Sequence, residues 1–68
     1  MSDAALERKV IDLVRSHSNG VHGLTVIDTM RKRGAYRHDV ARVIAHAVCR
    51  NRLTLDGDHI LHGHAPRM

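Results

Sequence analysis

Leu6, Val10, Leu13, Val14 and His17 recur at helical spacing, while Glu7, Arg8, Asp12 and Arg15 fill the opposite side. That pattern predicts an amphipathic helix from Ala4 to about His17. Ser2 or Asp3 can cap its exposed N–H groups, and Asp3 also suits the positive end of the dipole. Ser16-His17-Ser18-Asn19-Gly20 reads as its terminator. Gly20 to Gly23 is short and irregular, with Val21 read as a lone bridge residue or a core plug. Thr25 then predicts an N-cap for a second helix, Val26 to Arg33. Asp28 stands at N3 for a capping box, and Leu24 is placed for a hydrophobic staple. Ile27 and Met30 face inward, and Gly34 stops the helix.

The clearest period follows a tight turn at Ala35-Tyr36. Val40, Val43, Ile44, Ala47 and Val48 fall at i, i+3, i+4, i+7 and i+8, predicting a third helix from Arg37 to about Arg50. Its other face shows Arg37, His38, Ala41, Arg42, Ala45, His46 and Cys49, and the two alanines keep that face slim. The tail changes period. Arg52 to Leu55 alternates, Asp56-Gly57 is a two-residue turn signal, and Asp58 to His62 returns as the second strand of a hairpin. Leu53, Leu55 and Ile60 are expected to point inward, and Gly63 to Met68 to fray. No internal repeat is visible. The whole reads as one α+β domain over residues 1–68, with an ordered part at about 4–62: three helices followed by a two-stranded β-hairpin.

Composition narrows this picture. A 68-residue chain has room for one small core. Phe and Trp are absent and Tyr36 is the single aromatic, so aliphatic side chains and Met must build that core. All the apolar residues are expected to be used there, which leaves none for a membrane-binding face. The longest apolar runs are too short to cross a bilayer. The first ten residues lack a signal-peptide pattern, so a cytoplasmic location is expected. Cys49, the only cysteine, cannot form an internal disulfide.

Charge is placed, not spread. Arg31, Lys32, Arg33, Arg37, Arg42, Arg50 and Arg52 lie in one stretch whose only carboxylate is Asp39. The formal charge of the whole chain is +4, and this segment holds +6, leaving −2 elsewhere. Such placement points to a polyanion, most simply the phosphates of a nucleic acid.

Two helices joined across Gly34, then a hairpin, form a layout with a known counterpart. The segment from Thr25 through Arg31-Lys32-Arg33-Gly34, the Val40 to Val48 stripe and the Leu53 to Ile60 hairpin resembles the winged helix-turn-helix domains of small bacterial and phage transcription regulators. The resemblance is one of layout over residues 4–62, with no invariant motif. It implies sequence-specific binding of double-stranded DNA, with the helix 37–50 in the major groove. It implies that Arg37 and Arg42 reach base edges, that His38 contacts a base or phosphate, and that Tyr36 meets phosphate or sugar. Arg31, Lys32 and Arg33 become phosphate clamps, Thr25 a phosphate contact at a helix start, and Arg52 a contact at the base of the wing. It also implies a homodimer, because one small domain reads few base pairs. The wing tip, Asp56-Gly57-Asp58, carries two carboxylates where a phosphate-tracking wing needs basic residues. Arg42 also has a bland reading as an i, i−3 partner of Asp39.

Other classes fit less well. A winged helix can instead bind a protein partner as an adaptor or inhibitor, for which an exposed apolar patch near Ile11, Val21 and Leu61 would be the marker. RNA or non-specific binding lacks the stacking aromatics that single strands need. His59, His62 and His64 form H-x-x-H-x-H near the tail, and Cys49 lies upstream, but the spacing matches no closed zinc module. No metal or other cofactor is expected. No glycine-rich phosphate loop, C-x-x-C or H-E-x-x-H is present, and His46 and Cys49 lack a third orienting group, so an enzyme is not expected.

Overall fold

The computed structural model of the chain describes residues 2–63. Its element order is α1 (Asp3–Arg15), β1 (Val21–His22), α2 (Gly23–Lys32), α3 (Arg37–Cys49), β2 (Thr54–Leu55) and β3 (Ile60–His62). Three helices and a small antiparallel sheet make an α+β domain, an arrangement compatible with a winged helix-turn-helix layout. The sheet has three strands, in the order β1-β3-β2, not the two of a bare hairpin. The added strand is Val21–His22, pairing Val21 with Leu61 and His22 with Ile60.

α1 starts where its sequence says it should. Ser2 is the N-cap and its hydroxyl accepts from the Ala5 N–H, while Asp3 sits in the first turn. The helix ends at Arg15, two residues short of His17, which turns back so that its ring nitrogen meets the Leu13 carbonyl at 3.0 Å.

α2 departs from expectation at its start. His22, not Thr25, is the N-cap, and its Nδ1 accepts from the Leu24 N–H at 3.1 Å. The cause is the sheet: His22 is held extended beside Ile60, and the Gly23 N–H donates to the His59 carbonyl. The chain therefore passes straight from strand into helix. Thr25 falls inside the first turn, Asp28 pairs with Lys32 instead of closing a capping box, and Leu24 stands 62% exposed instead of stapling the helix.

Both α2 and α3 close with a Schellman motif. After α2, Gly34 N–H donates to Arg31 and Ala35 N–H to Met30, with Gly34 at φ +97°. After α3, Asn51 N–H donates to Val48 and Arg52 N–H to Ala47, with Asn51 at φ +62°. Gly34 and Asn51 are residue types that tolerate this left-handed backbone.

The core joins Leu6, Val10, Ile11 and Val14 of α1 to Val26 and Met30 of α2 and Val40, Val43 and Ala47 of α3. Val21, Leu53 and Leu61 close it from the sheet side. In the hairpin Leu61 takes the buried place expected of Ile60, which is only half-buried. Leu55 pairs with Leu61 and so shares its face, but stands beyond the core at 49% exposure. The turn is also longer than two residues. Asp56 to His59 form the loop, with Asp56 Oδ1 accepting from the Asp58 and Ile60 N–H groups and His59 at φ +64°. Gly63, expected to fray, is buried: its carbonyl accepts from Arg15 Nε at 2.7 Å. Residues 64–68 of that expected tail lie outside the described residues. No helix among the described residues is long and apolar enough to cross a membrane.

Candidate functional site

The Schellman closure of α2 turns the chain sharply and delivers it, through Ala35 and Tyr36, to the start of α3. One concave surface forms around that turn, lined by Arg31 and Lys32 from the end of α2, Tyr36, and Arg37 and His38 from the start of α3. Asp28 supplies its one carboxylate and meets Lys32 Nζ at 3.4 Å across an exposed i, i+4 pair. Arg31 and Arg37 have no carboxylate partner among the described residues. Tyr36 is the α3 N-cap without a side-chain capping bond, and its ring is 76% exposed. Two guanidinium groups, an ammonium, a phenol and an imidazole thus share one recess. An anion offered to it meets several donors.

The other sequence-predicted residues go elsewhere. Arg33 is the exposed C-cap of α2, and Thr25 sits exposed in the first turn of that helix. Arg42 points to the α1 side of α3. Its guanidinium donates to Asp3 at 3.0 Å and to Asp39 at 2.8 Å, and these partners, Asp3 before Asp39, raise its pKa further. Arg52 reaches Glu7 at 3.4 Å. Arg42 and Arg52 line a second recess with Asp3, Glu7, His46 and Arg50, in which positive charge is countered.

Glu7 is the residue the sequence pattern misplaces. The pattern puts it on the solvent side of α1, yet it is only 7% exposed. His46 Nδ1 donates to its Oε1 at 2.7 Å, and Arg52 donates to its Oε2. The helix wheel carries the signal that finds it, since Glu7, Ile11 and Val14 share one i, i+4, i+7 stripe. His46 is thereby engaged with Glu7, not with Cys49, which is an exposed free thiol.

A third surface has no counterpart in the sequence pattern. The groove bounded by α2, α3 and the hairpin is lined mainly by apolar side chains, among them Leu24, Ile27, Ile44, Val48 and Leu55. His22 and His59 flank it, their ring centroids 6.1 Å apart. The expectation that every apolar residue serves the core fails here, because Leu24 and Leu55 border this groove in the open. The patch expected near Ile11, Val21 and Leu61 is instead buried.

His62 Nε2 lies 3.2 Å from Asp56 Oδ2, and His64 lies outside the described residues. No group of three or more potential metal ligands occurs among the described residues. Comparison with protein-family models, curated protein sequences and solved structures finds no match.

Proposed function

We propose that the chain is a sequence-specific double-stranded DNA-binding protein, a transcription regulator of winged helix-turn-helix type. Arg31, Lys32 and Tyr36 hold the phosphate backbone, and the first half of α3 enters the major groove. The observation that carries this reading is the recess at the α2–α3 turn, where Arg31, Lys32, Tyr36, Arg37 and His38 converge with Asp28 as the lone opposing charge. The exposed Lys32–Asp28 pair is worth about 0.3–0.5 kcal/mol, so a phosphate displaces it at little cost.

Base reading falls to Arg37 and His38, with Ala41 able to meet a thymine methyl where the slim helix face approaches. Arg42 contributes less than its sequence position suggests, because it is already engaged with Asp3 and Asp39. The hairpin contributes little, because its loop carries Asp56 and Asp58. Two copies on a two-fold site supply the base pairs one copy lacks. The chain acts by binding; no chemical step is assigned to it.

Selection from a random duplex pool, followed by sequencing, tests this. A shared motif that weakens when Arg37 is changed to Ala supports the reading. Failure to retain any duplex at about 50 mM salt removes it.

A further inference from the structure

Of the three large apolar side chains exposed among the described residues, Leu24 and Leu55 border the apolar groove and Tyr36 borders the basic recess at the α2–α3 turn. The two surfaces adjoin as one strip along α2 and α3. Single exposed leucines are ordinary. Here Leu24 and Leu55 flank the same groove, whose floor is Ile27, Ile44 and Val48 and whose recess measures about 670 Å³. Helical spacing joins this groove to the basic recess: Ile27 is followed at i+4 by Arg31, and Ala41 is preceded at i−4 by Arg37. The strip therefore has an apolar body and a cationic end.

Its occupant follows from shape and charge. Along α3 the groove runs from Ala41 to Cys49, eight residue steps or about 12 Å, which matches two turns of a helix laid beside it. No carboxylate lines the groove. A second copy related by a two-fold axis would set the same concave groove against this one, with no apolar ridge to fill either. The surface is concave, so it does not present an apolar ridge to a lipid bilayer.

We propose that the groove docks an amphipathic helix of a protein partner. Apolar side chains at i, i+3 or i+4, and i+7 of that helix enter between Leu24 and Leu55. Carboxylates at one end of the helix meet Arg31, Arg37 and His38. Because the strip includes the residues proposed to hold DNA, partner helix and duplex exclude one another, and the partner acts as an antagonist. The docking site itself does not depend on the nucleic-acid reading.

The test uses the full chain and a phage-displayed library of randomised helical peptides, each about 16 residues, selected with no nucleic acid present. The expected result is convergence on peptides with an apolar i, i+4, i+7 stripe and acidic residues at one end. The selected peptides should lose at least about tenfold in affinity for the Leu24→Ser/Leu55→Ser protein. Both positions are exposed, so that variant should keep its helical circular dichroism, and the single Leu24→Ser and Leu55→Ser proteins provide a second readout. The proposal is overturned by lack of enrichment, by peptides without the stripe, or by equal affinity for the substituted proteins. Self-association abolished by the same substitutions also overturns it, by assigning the groove to a second copy. Loss of duplex binding with peptide binding intact would remove the DNA reading alone.

Discussion

The Arg42 guanidinium, on the face of α3 expected to read bases, reaches back to Asp3 in the first turn of α1 at 3.0 Å. Asp39, one turn earlier on α3, holds the same nitrogen at 2.8 Å. Two carboxylates therefore compete with any phosphate or base for this side chain. Arg37, with no such partner among the described residues, is the freer cation. Arg37→Ala should weaken duplex binding by about 1–3 kcal/mol and relax base preference. Arg42→Ala should cost clearly less affinity and little fold stability, because both ion pairs are exposed. Parallel titrations of one selected duplex with the two variants decide the order.

Glu7 ties α1 to α3 and to the start of the hairpin. Its burial with His46 and Arg52 as partners means that truncation removes charge-assisted hydrogen bonds and leaves those partners to solvent. Glu7→Ala should lower unfolding free energy by about 1–3 kcal/mol. Since His46 is itself more than half exposed on its side chain, His46→Ala should cost less. A double-mutant cycle in urea denaturation should give a non-zero coupling between the two positions. Strict additivity would mean that the 2.7 Å hydrogen bond between them adds nothing to stability.

Gly63 has no room for a side chain. A Cβ there would lie 2.6 Å from the Arg15 Cα and 2.7 Å from the Arg15 nitrogen, both backbone atoms of α1. Gly63→Ala should destabilise the chain by about 1–3 kcal/mol, by pushing the end of β3 off α1. Gly57→Ala meets nothing within 4 Å and serves as the control. Thermal denaturation of the pair should separate them, with Gly57→Ala the milder.

Asp56 organises the hairpin loop. The Ile60 N–H chiefly, with His62 and the Asp58 N–H, holds its carboxylate below the usual Asp pKa. A carboxylate whose folded pKa lies below its unfolded value stabilises the fold above the unfolded value. That contribution is lost as pH falls through the lowered folded one. The hairpin should therefore loosen below about pH 4, where an unperturbed Asp already protonates. The protection factors of the Asp58 and Ile60 amides against hydrogen exchange should fall there. Asp56→Asn, which cannot titrate, should abolish that acid dependence.

Much of this architecture is written in local patterns. The Val40–Val48 stripe marks α3 to within one residue, and Gly34 marks its turn, because both depend only on near neighbours. The start of α2 is not legible, since it depends on His22 pairing with Ile60 across the sheet, between distant parts of the chain. Leu55 and Ile60 mislead for the same reason: alternation is visible in sequence, but which strand overhangs the core is not. At the candidate site, the grouping of Arg31, Lys32, Tyr36, Arg37 and His38 is readable because one tight turn gathers them. The neutralisation of Arg42 by Asp3 and of Arg52 by Glu7 is not, because both partners arrive from α1.

The central claim is that the α2–α3 turn holds nucleic-acid phosphates. Its most direct measurement is duplex affinity against salt concentration, for the wild-type chain and for Arg31→Ala/Lys32→Ala. The predicted result is a linear fall of log affinity with log salt, and a slope shallower by about two units in the variant, since each phosphate left without its cation lowers the slope by about 0.9. An unchanged slope, or no duplex binding by the wild-type chain at about 50 mM salt, would contradict the account.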